Sequence, residues 1–185
     1  MTEKWAFSTL ARADNTALEM ALRAAQAPDP TRLVGYGYDG YNCNWLGQLV
    51  DTKFRKLFYR DAQGVHGFNQ LIEKDDQGYE GQWQVRVRGG RVQTRGYFKV
   101  APVGEGNTPG SLLAPYGHLL GFDYDVPQNG RDLLARTIYD VIGLPNEGEY
   151  DVVLGKAYLR LPAGLILFAT YFILGRPQPD RGHSL

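Results

Sequence analysis

The Gly89-Gly90 pair, set between two runs of alternating apolar and polar residues, constrains the fold of this chain more than any other feature. Two consecutive glycines allow positive φ at both central positions of a two-residue hairpin loop. The spacing predicts antiparallel strands over residues 81–88 and 91–100. In that register Val87 faces Val92, Val85 faces Thr94, and Trp83 faces Gly96, where the indole ring could cover the bare glycine. Trp83, Val85, Val87, Val92, Thr94, Phe98 and Val100 then share an apolar face, and Gln84, Arg86, Arg88, Gln93, Arg95 and Lys99 share a polar one. One face is inside and one is wet, as in an antiparallel sheet covered on one side.

The remaining pattern adds strands over 33–41, 65–73, one or two within 111–126, and a closing pair over 151–160 and 165–174 around Pro162-Ala163-Gly164. Three helices are expected. The first starts near Thr16, with Thr16 and Glu19 at capping-box spacing, and ends at Pro28 and Pro30. The second runs from Asn42 or Asn44 to about Arg60, with Leu46, Leu49, Val50, Phe54, Leu57 and Phe58 as its apolar stripe. The third follows Asn129, with Leu133, Leu134, Ile138, Val141 and Ile142 on one side. Runs of sequential strands argue for an antiparallel sheet rather than a doubly wound parallel one. Seven to nine strands with few natural edges suggest closure into a barrel.

No linker or repeat divides the chain. The expected organisation is an N-terminal helical segment over 1–30, with Trp5, Phe7 and Leu10 docked on the domain, a β-barrel over 31–176, and a mobile tail over 177–185. Lys and Arg balance Asp and Glu, 20 against 20. Nucleic acid is therefore not an expected partner, because its phosphates call for a basic excess. The arginines of the hairpin read as a solvated face. The single cysteine, Cys43, excludes an internal disulfide and has no nucleophile context. The first ten residues lack the pattern of a signal peptide. The longest apolar run, residues 163–175, falls short of the roughly 20 residues of a membrane helix. A cytoplasmic protein without a membrane partner is expected, with a homodimer open.

Few residues invite chemistry. Gly35-x-Gly37-x-x-Gly40 has the form of a dinucleotide fingerprint, but its glycines lie inside a strand among Tyr36, Tyr38 and Tyr41, where they suit a bend. His66, His118 and His183 have no second ligand at metal spacing, so no metal is expected. His118 lies near Tyr116, Asp123 and Asp125 and could do acid–base work if it faced a cavity. Lys156 stands in the apolar run Val152-Val-Leu-Gly-Lys-Ala-Tyr-Leu159 and must pair, snorkel or face a cavity. Tyr158 shares its face. Asn69 is a similar polar intrusion beside Val65 and Leu71. Outward positions for Lys156 and Tyr158 on a half-exposed strand fit the alternation equally.

Gly81-Gln-Trp83 resembles the G-x-W strand motif of lipocalins and related calycin barrels, although there it lies on the first strand. Lys53-Phe-Arg-Lys56 and Leu154-Gly-Lys-Ala-Tyr-Leu159, with the Gly-rich early strand, resemble segments of bacterial lipocalin-like proteins. The resemblance spans about 33–176. It implies a barrel with an internal ligand site and transfers no catalytic residue.

The fold expected is α+β and mainly β: an antiparallel, calycin-like barrel with about three helices outside or across one end. The function expected is binding of a small apolar or aromatic molecule. Trp83, Thr94 and Phe98 would line the wall, and Asn69, His118, Lys156 or Tyr158 would anchor a polar group. Catalytic residues are not identified, and no cofactor is expected, haem included. Two alternatives are an isomerase, cyclase or lyase acting through His118, Lys156 and Tyr158, and an interaction domain marked by an exposed apolar patch around Trp5 and Phe7.

Overall fold

The computed structural model describes residues 4–104 and 111–180. Helices α1 (Phe7–Arg12) and α2 (Asn15–Arg23) lead into β1 (Tyr36–Asn42), α3 (Trp45–Val50), β2 (Lys53–Asp61) and β3 (Gly64–Leu71). A short hairpin, β4 (Val87–Arg88) and β5 (Arg91–Val92), precedes β6 (Thr94–Pro102) and β7 (Leu120–Asp123). Helix α4 (Leu133–Thr137), β8 (Ile138–Gly143), β9 (Val152–Arg160) and β10 (Ile166–Pro179) complete the chain. Eight strands close an antiparallel barrel in the order β1-β10-β9-β8-β7-β6-β3-β2, and β4-β5 stands apart as a two-stranded sheet. The expected α+β, mainly β, antiparallel barrel is the fold observed.

Two expected helices are mostly strand. Residues 53–61 continue from the short α3 as β2, which pairs with β1 on one side and β3 on the other. Phe54, Lys56 and Phe58 point inward, while Lys53 and Arg55 point out to Asp75 and Asp39. Closure of the wall on both sides outweighs the helical spacing of the apolar residues, which the segment carries equally well. Likewise only Leu133–Thr137 is helical before Ile138 enters β8. Its β-branched Ile138, Val141 and Ile142 suit a wall covered on both faces.

At the start of α2 the cap is Asp14, whose carboxylate accepts from the Ala17 amide at 2.8 Å, in place of Thr16. Glu19 is thereby free for a different role. Strand β10 runs on to Pro179, opposite Tyr36, so the wall includes part of the expected tail. Residues 105–110 and 181–185, with His183, lie outside the described residues.

The Gly89-Gly90 hairpin has its expected register, Val87 against Val92 and Arg88 against Arg91, and both glycines have positive φ. It does not continue into the barrel wall. Val87 and Thr94 are exposed, and Trp83 does not face Gly96. Beyond Val87 the first arm turns away to the chain after β3, with Val85 bridging Ile72 and the Arg86 amide donating to the Leu71 carbonyl, while β6 pairs with β3 through a bulge. Asn69 pairs with Arg95 and Gly67 with Phe98, so Gly96 and Tyr97 together face the single Phe68. Gly96 takes the left-handed conformation (φ +60°) that such a bulge requires. One extra residue reverses the side-chain alternation. Thr94 therefore turns out, while Arg95 and Phe98 both turn in.

Two apolar clusters result. Inside the barrel, Tyr38, Phe58, Val65, Phe98, Val100, Phe122, Val153 and Leu174 fill one end. Outside, Leu10, Leu18 and Leu22 of α1 and α2 cover Val152, Leu154 and Ile173 of β9 and β10, with Trp5 and Phe7 packed against them. Three inward phenylalanines each face a glycine on the neighbouring strand: Phe54 opposite Gly40, Phe98 opposite Gly67 and Phe172 opposite Gly155. A β-carbon on any of these glycines would lie 2.1–2.3 Å from the ring. The covering device expected of Trp83 is thus present three times, inside the barrel.

Candidate functional site

The other end of the barrel is open space. A cavity of about 310 Å³ lies between the packed interior and the end carrying α3 and α4. Its wall is largely apolar, with Leu71, Ile138, Ala157, Leu159, Ala169 and Phe172 from four strands, and Leu46 and Leu134 from the two helices at its mouth. Leu46 and Leu134 are also exposed to solvent, as are their neighbours Trp45, Leu49 and Leu133. Arg95 and Asp51 form an ion pair of 3.4 Å on the same rim.

The polar groups converge on Lys56. It is only 2% exposed and its ammonium sits among the rings of Phe54, Phe98, Phe122, Tyr124 and Phe172, 4.8–5.6 Å from their centroids. Three of these rings are those laid on glycines, so the cage follows from the cross-strand pairs. Lys56 Nζ donates to Asn69 Oδ1 at 3.0 Å and to the Tyr124 hydroxyl, and stands 3.4 Å from Asp140 Oδ2. The Tyr124 hydroxyl donates to the same Asp140 oxygen at 2.9 Å. Asp140 is also 2% exposed, and its Oδ1 is buried without a hydrogen-bond partner among the described residues. Lys56, Asn69, Tyr124 and Asp140 all border the cavity.

Burial sets the charge state of this group. Loss of water lowers the Lys56 pKa against the opposing pull of Asp140. It raises the Asp140 pKa against the opposing pull of Lys56. Tyr124 is held well above its ordinary value by burial and by the neighbouring carboxylate. Lysine and aspartate are thus both shifted toward their uncharged forms.

Of the residues singled out from the sequence, Asn69 lies in this group and Phe98 forms part of the cage beneath it. Tyr158 borders the cavity from β9, but its ring packs in the outer cluster. The others lie elsewhere. Thr94 is exposed, 3.1 Å from the Tyr97 hydroxyl. His118 is exposed before β7. Trp83 lies on the outer wall, donating to the Gly40 carbonyl at 3.1 Å, between Phe7, Lys53 and Arg176.

Lys156 also faces outward. Its Nζ donates to Glu19 Oε2 and the Tyr116 hydroxyl, each at 2.8 Å, among the rings of Tyr116, Tyr158, Phe168 and Tyr171. Glu19 also accepts from Arg23 and Tyr116, each at 2.6 Å, and from Tyr171. Burial would raise its pKa, but these four donors outweigh it and hold the carboxyl at about 2. The cluster ties α2 to the barrel wall.

Lys56, Tyr124 and Asp140 were hidden in the sequence because two of them lie in segments with helical spacing. The available signal was a charged residue two positions from large apolar ones on either side, Phe54-x-Lys56-x-Phe58 and Ile138-x-Asp140-x-Ile142. Strict alternation places Arg95 on the wet face, and the Gly96 bulge moves it to the rim.

Cys43 is no nucleophile candidate, since burial pushes its thiol up to about 12. Among the described residues no group of three or more His, Cys, Asp and Glu stands close enough to share a metal ion, and no helix is long and apolar enough to cross a membrane. No protein-family model matches this chain, and no curated protein matches it.

Proposed function

We propose that this barrel binds a small, neutral, largely apolar molecule with its one polar group against Lys56, Tyr124 and Asp140. The observation that carries this reading is the apolar cavity of about 310 Å³ with three polar groups converging on its floor. Its size and composition are those of small-molecule sites, which run from about 300 to 1,000 Å³ with few polar groups. The closed eight-stranded barrel with internal space is also in keeping with the resemblance to lipocalin-like proteins. The floor selects for neutrality. A charged ligand would give up its water shell to a largely apolar wall, where Lys56 and Asp140 are already paired with each other. A carbonyl or hydroxyl finds a donor in Lys56 and an acceptor in Asp140 Oδ1, while Tyr124 holds the two in place. Native mass spectrometry of freshly purified protein is expected to show a retained neutral molecule that denaturation releases. An apo mass alone, together with no uptake of cavity-sized neutral aromatics, contradicts the reading.

The pairing of Asp140 with Tyr124 and Lys56 favours a second reading, acid–base catalysis on a bound ketone. Asp140 would take a proton from carbon while Tyr124 and Lys56 stabilise the enolate oxygen. Deuterium exchange at the carbon beside the carbonyl of 2-tetralone, followed by NMR, is expected to accelerate with the protein and to lose that acceleration in Asp140→Asn. Equal rates with and without protein dismiss this reading.

A further inference from the structure

We infer that Lys56 forms a reversible imine with an aldehyde or ketone ligand, so that the cavity selects apolar carbonyl compounds. The inference rests on the ligand-binding reading above and adds the chemical class. Three observations carry it. Among the described residues Lys56 has the one primary amine bordering the cavity, Lys53 and Lys156 being turned to the outer wall. That amine is enclosed by five rings that exclude water. Beside it, Asp140 keeps one buried oxygen without a hydrogen-bond partner among the described residues.

These are the requirements of amine–carbonyl condensation. The nucleophile is the neutral amine, and a desolvated lysine supplies it near neutral pH. Burial shifts Lys56 in that direction and shifts Asp140 toward the protonated acid. The Nζ lone pair attacks the carbonyl carbon, and the C=O π pair moves to oxygen, which takes the proton of Asp140. The nitrogen, now cationic, returns a proton to Asp140 and leaves a neutral carbinolamine. Asp140 protonates the hydroxyl, the C–O bond breaks, and water departs as the nitrogen lone pair forms the C=N bond. The imine nitrogen then gives its remaining excess proton back to Asp140. The sum is amine plus carbonyl giving imine plus water, with Asp140 restored and nothing oxidised or reduced. Asn69 Oδ1, at 3.0 Å, holds an N–H and orients the amine throughout.

The test uses the full chain, 2-naphthaldehyde and sodium cyanoborohydride, with 2-naphthalenemethanol as a matched ligand that cannot condense. Peptide mapping is expected to place one reductively coupled naphthyl group on Lys56, saturably, and the alcohol is expected to block it. Between pH 7 and pH 6 the labelling of exposed lysines falls by about tenfold as their free amine declines. Labelling of Lys56 is expected to fall less than that of the exposed lysines. Lysine-wide labelling that spares Lys56, with saturable binding of the alcohol, overturns the imine and leaves ligand binding intact. Absence of binding by either compound overturns both. No variant is needed, so misfolding cannot imitate either result.

Discussion

Lys56 and Lys156 stand on opposite faces of the same barrel wall with nearly the same company. Each ammonium lies among aromatic rings, each donates to a tyrosine hydroxyl, and each faces a carboxylate. The outer cluster is complete. Glu19 takes four donors and is held ionised, so Lys156 has a fixed counter-ion and α2 is fastened to β9. The inner cluster is incomplete. Asp140 has one oxygen unpaired among the described residues, both charged groups are pushed toward neutrality, and the space beside them is open. The same side-chain chemistry thus makes an anchor where every acceptor is satisfied and a candidate site where one is not. Their separation depends on which way a strand faces.

The largest expected difference between the clusters is in stability. Lys56→Met or Asp140→Leu alone leaves a charge or an acceptor buried without its partner and is expected to cost about 3–5 kcal/mol. The double variant removes both and is expected to match or exceed wild type by up to about 4 kcal/mol. Urea unfolding of the four proteins measures this. The double variant should also lose the ligand. A double variant no more stable than the singles would mean that the inner pair is an anchor too.

At the outer cluster, Glu19→Ala is expected to cost about 2–3 kcal/mol through lost charge-assisted hydrogen bonds, with ligand uptake unchanged. Its pH dependence has a fixed sign. The folded pKa of about 2 lies below the ordinary 4.5, so the stabilisation is present above pH 4.5 and is lost as pH falls from 4.5 toward 2. The acid unfolding curves of wild type and Glu19→Ala should therefore converge in that window. Parallel curves would show that Glu19 is not the linked group.

Gly96→Ala sharpens the comparison at the bulge. The new β-carbon would sit 2.9 Å from the Asn69 amide nitrogen and 3.3 Å from the Tyr124 ring, on a backbone with φ +60°. A loss of about 1–2 kcal/mol is expected, with weakened ligand uptake because Asn69 and Tyr124 both touch Lys56. The smallest effects are expected at Thr94→Ala and His118→Ala, within about 0.5 kcal/mol of wild type and without effect on uptake. A larger loss of uptake at either would place the site elsewhere.

These contrasts also show what a sequence can carry. The Gly89-Gly90 turn with its Val87–Val92 pair, the closing strands and closure itself follow from local turn chemistry and period-two patterning, and the structure has them. The pairing of Val85 with Thr94 and of Trp83 with Gly96 is absent, since Val85 bridges Ile72. The bulge at Gly96 does not announce itself, because one glycine in a strand is compatible with unbroken alternation. It alone reverses Thr94 and Arg95. Lys56 and Asp140 were obscured by apolar residues that satisfy helical and strand spacing together, and only pairing with neighbours decides between them. Lys156 and Asn69 stood out as polar intrusions, but alternation leaves inside and outside undecided until the barrel closes.

The cavity beside Lys56 is the centre of this account, and filling it is the direct test. Ala157 faces it from β9. Titration of wild type and Ala157→Phe with 2-naphthalenemethanol, followed by its fluorescence, compares an open floor with a blocked one. Saturable one-to-one binding to wild type, weakened at least tenfold in a folded Ala157→Phe protein, is the predicted result. Binding of equal strength to both, or none to wild type, would contradict it.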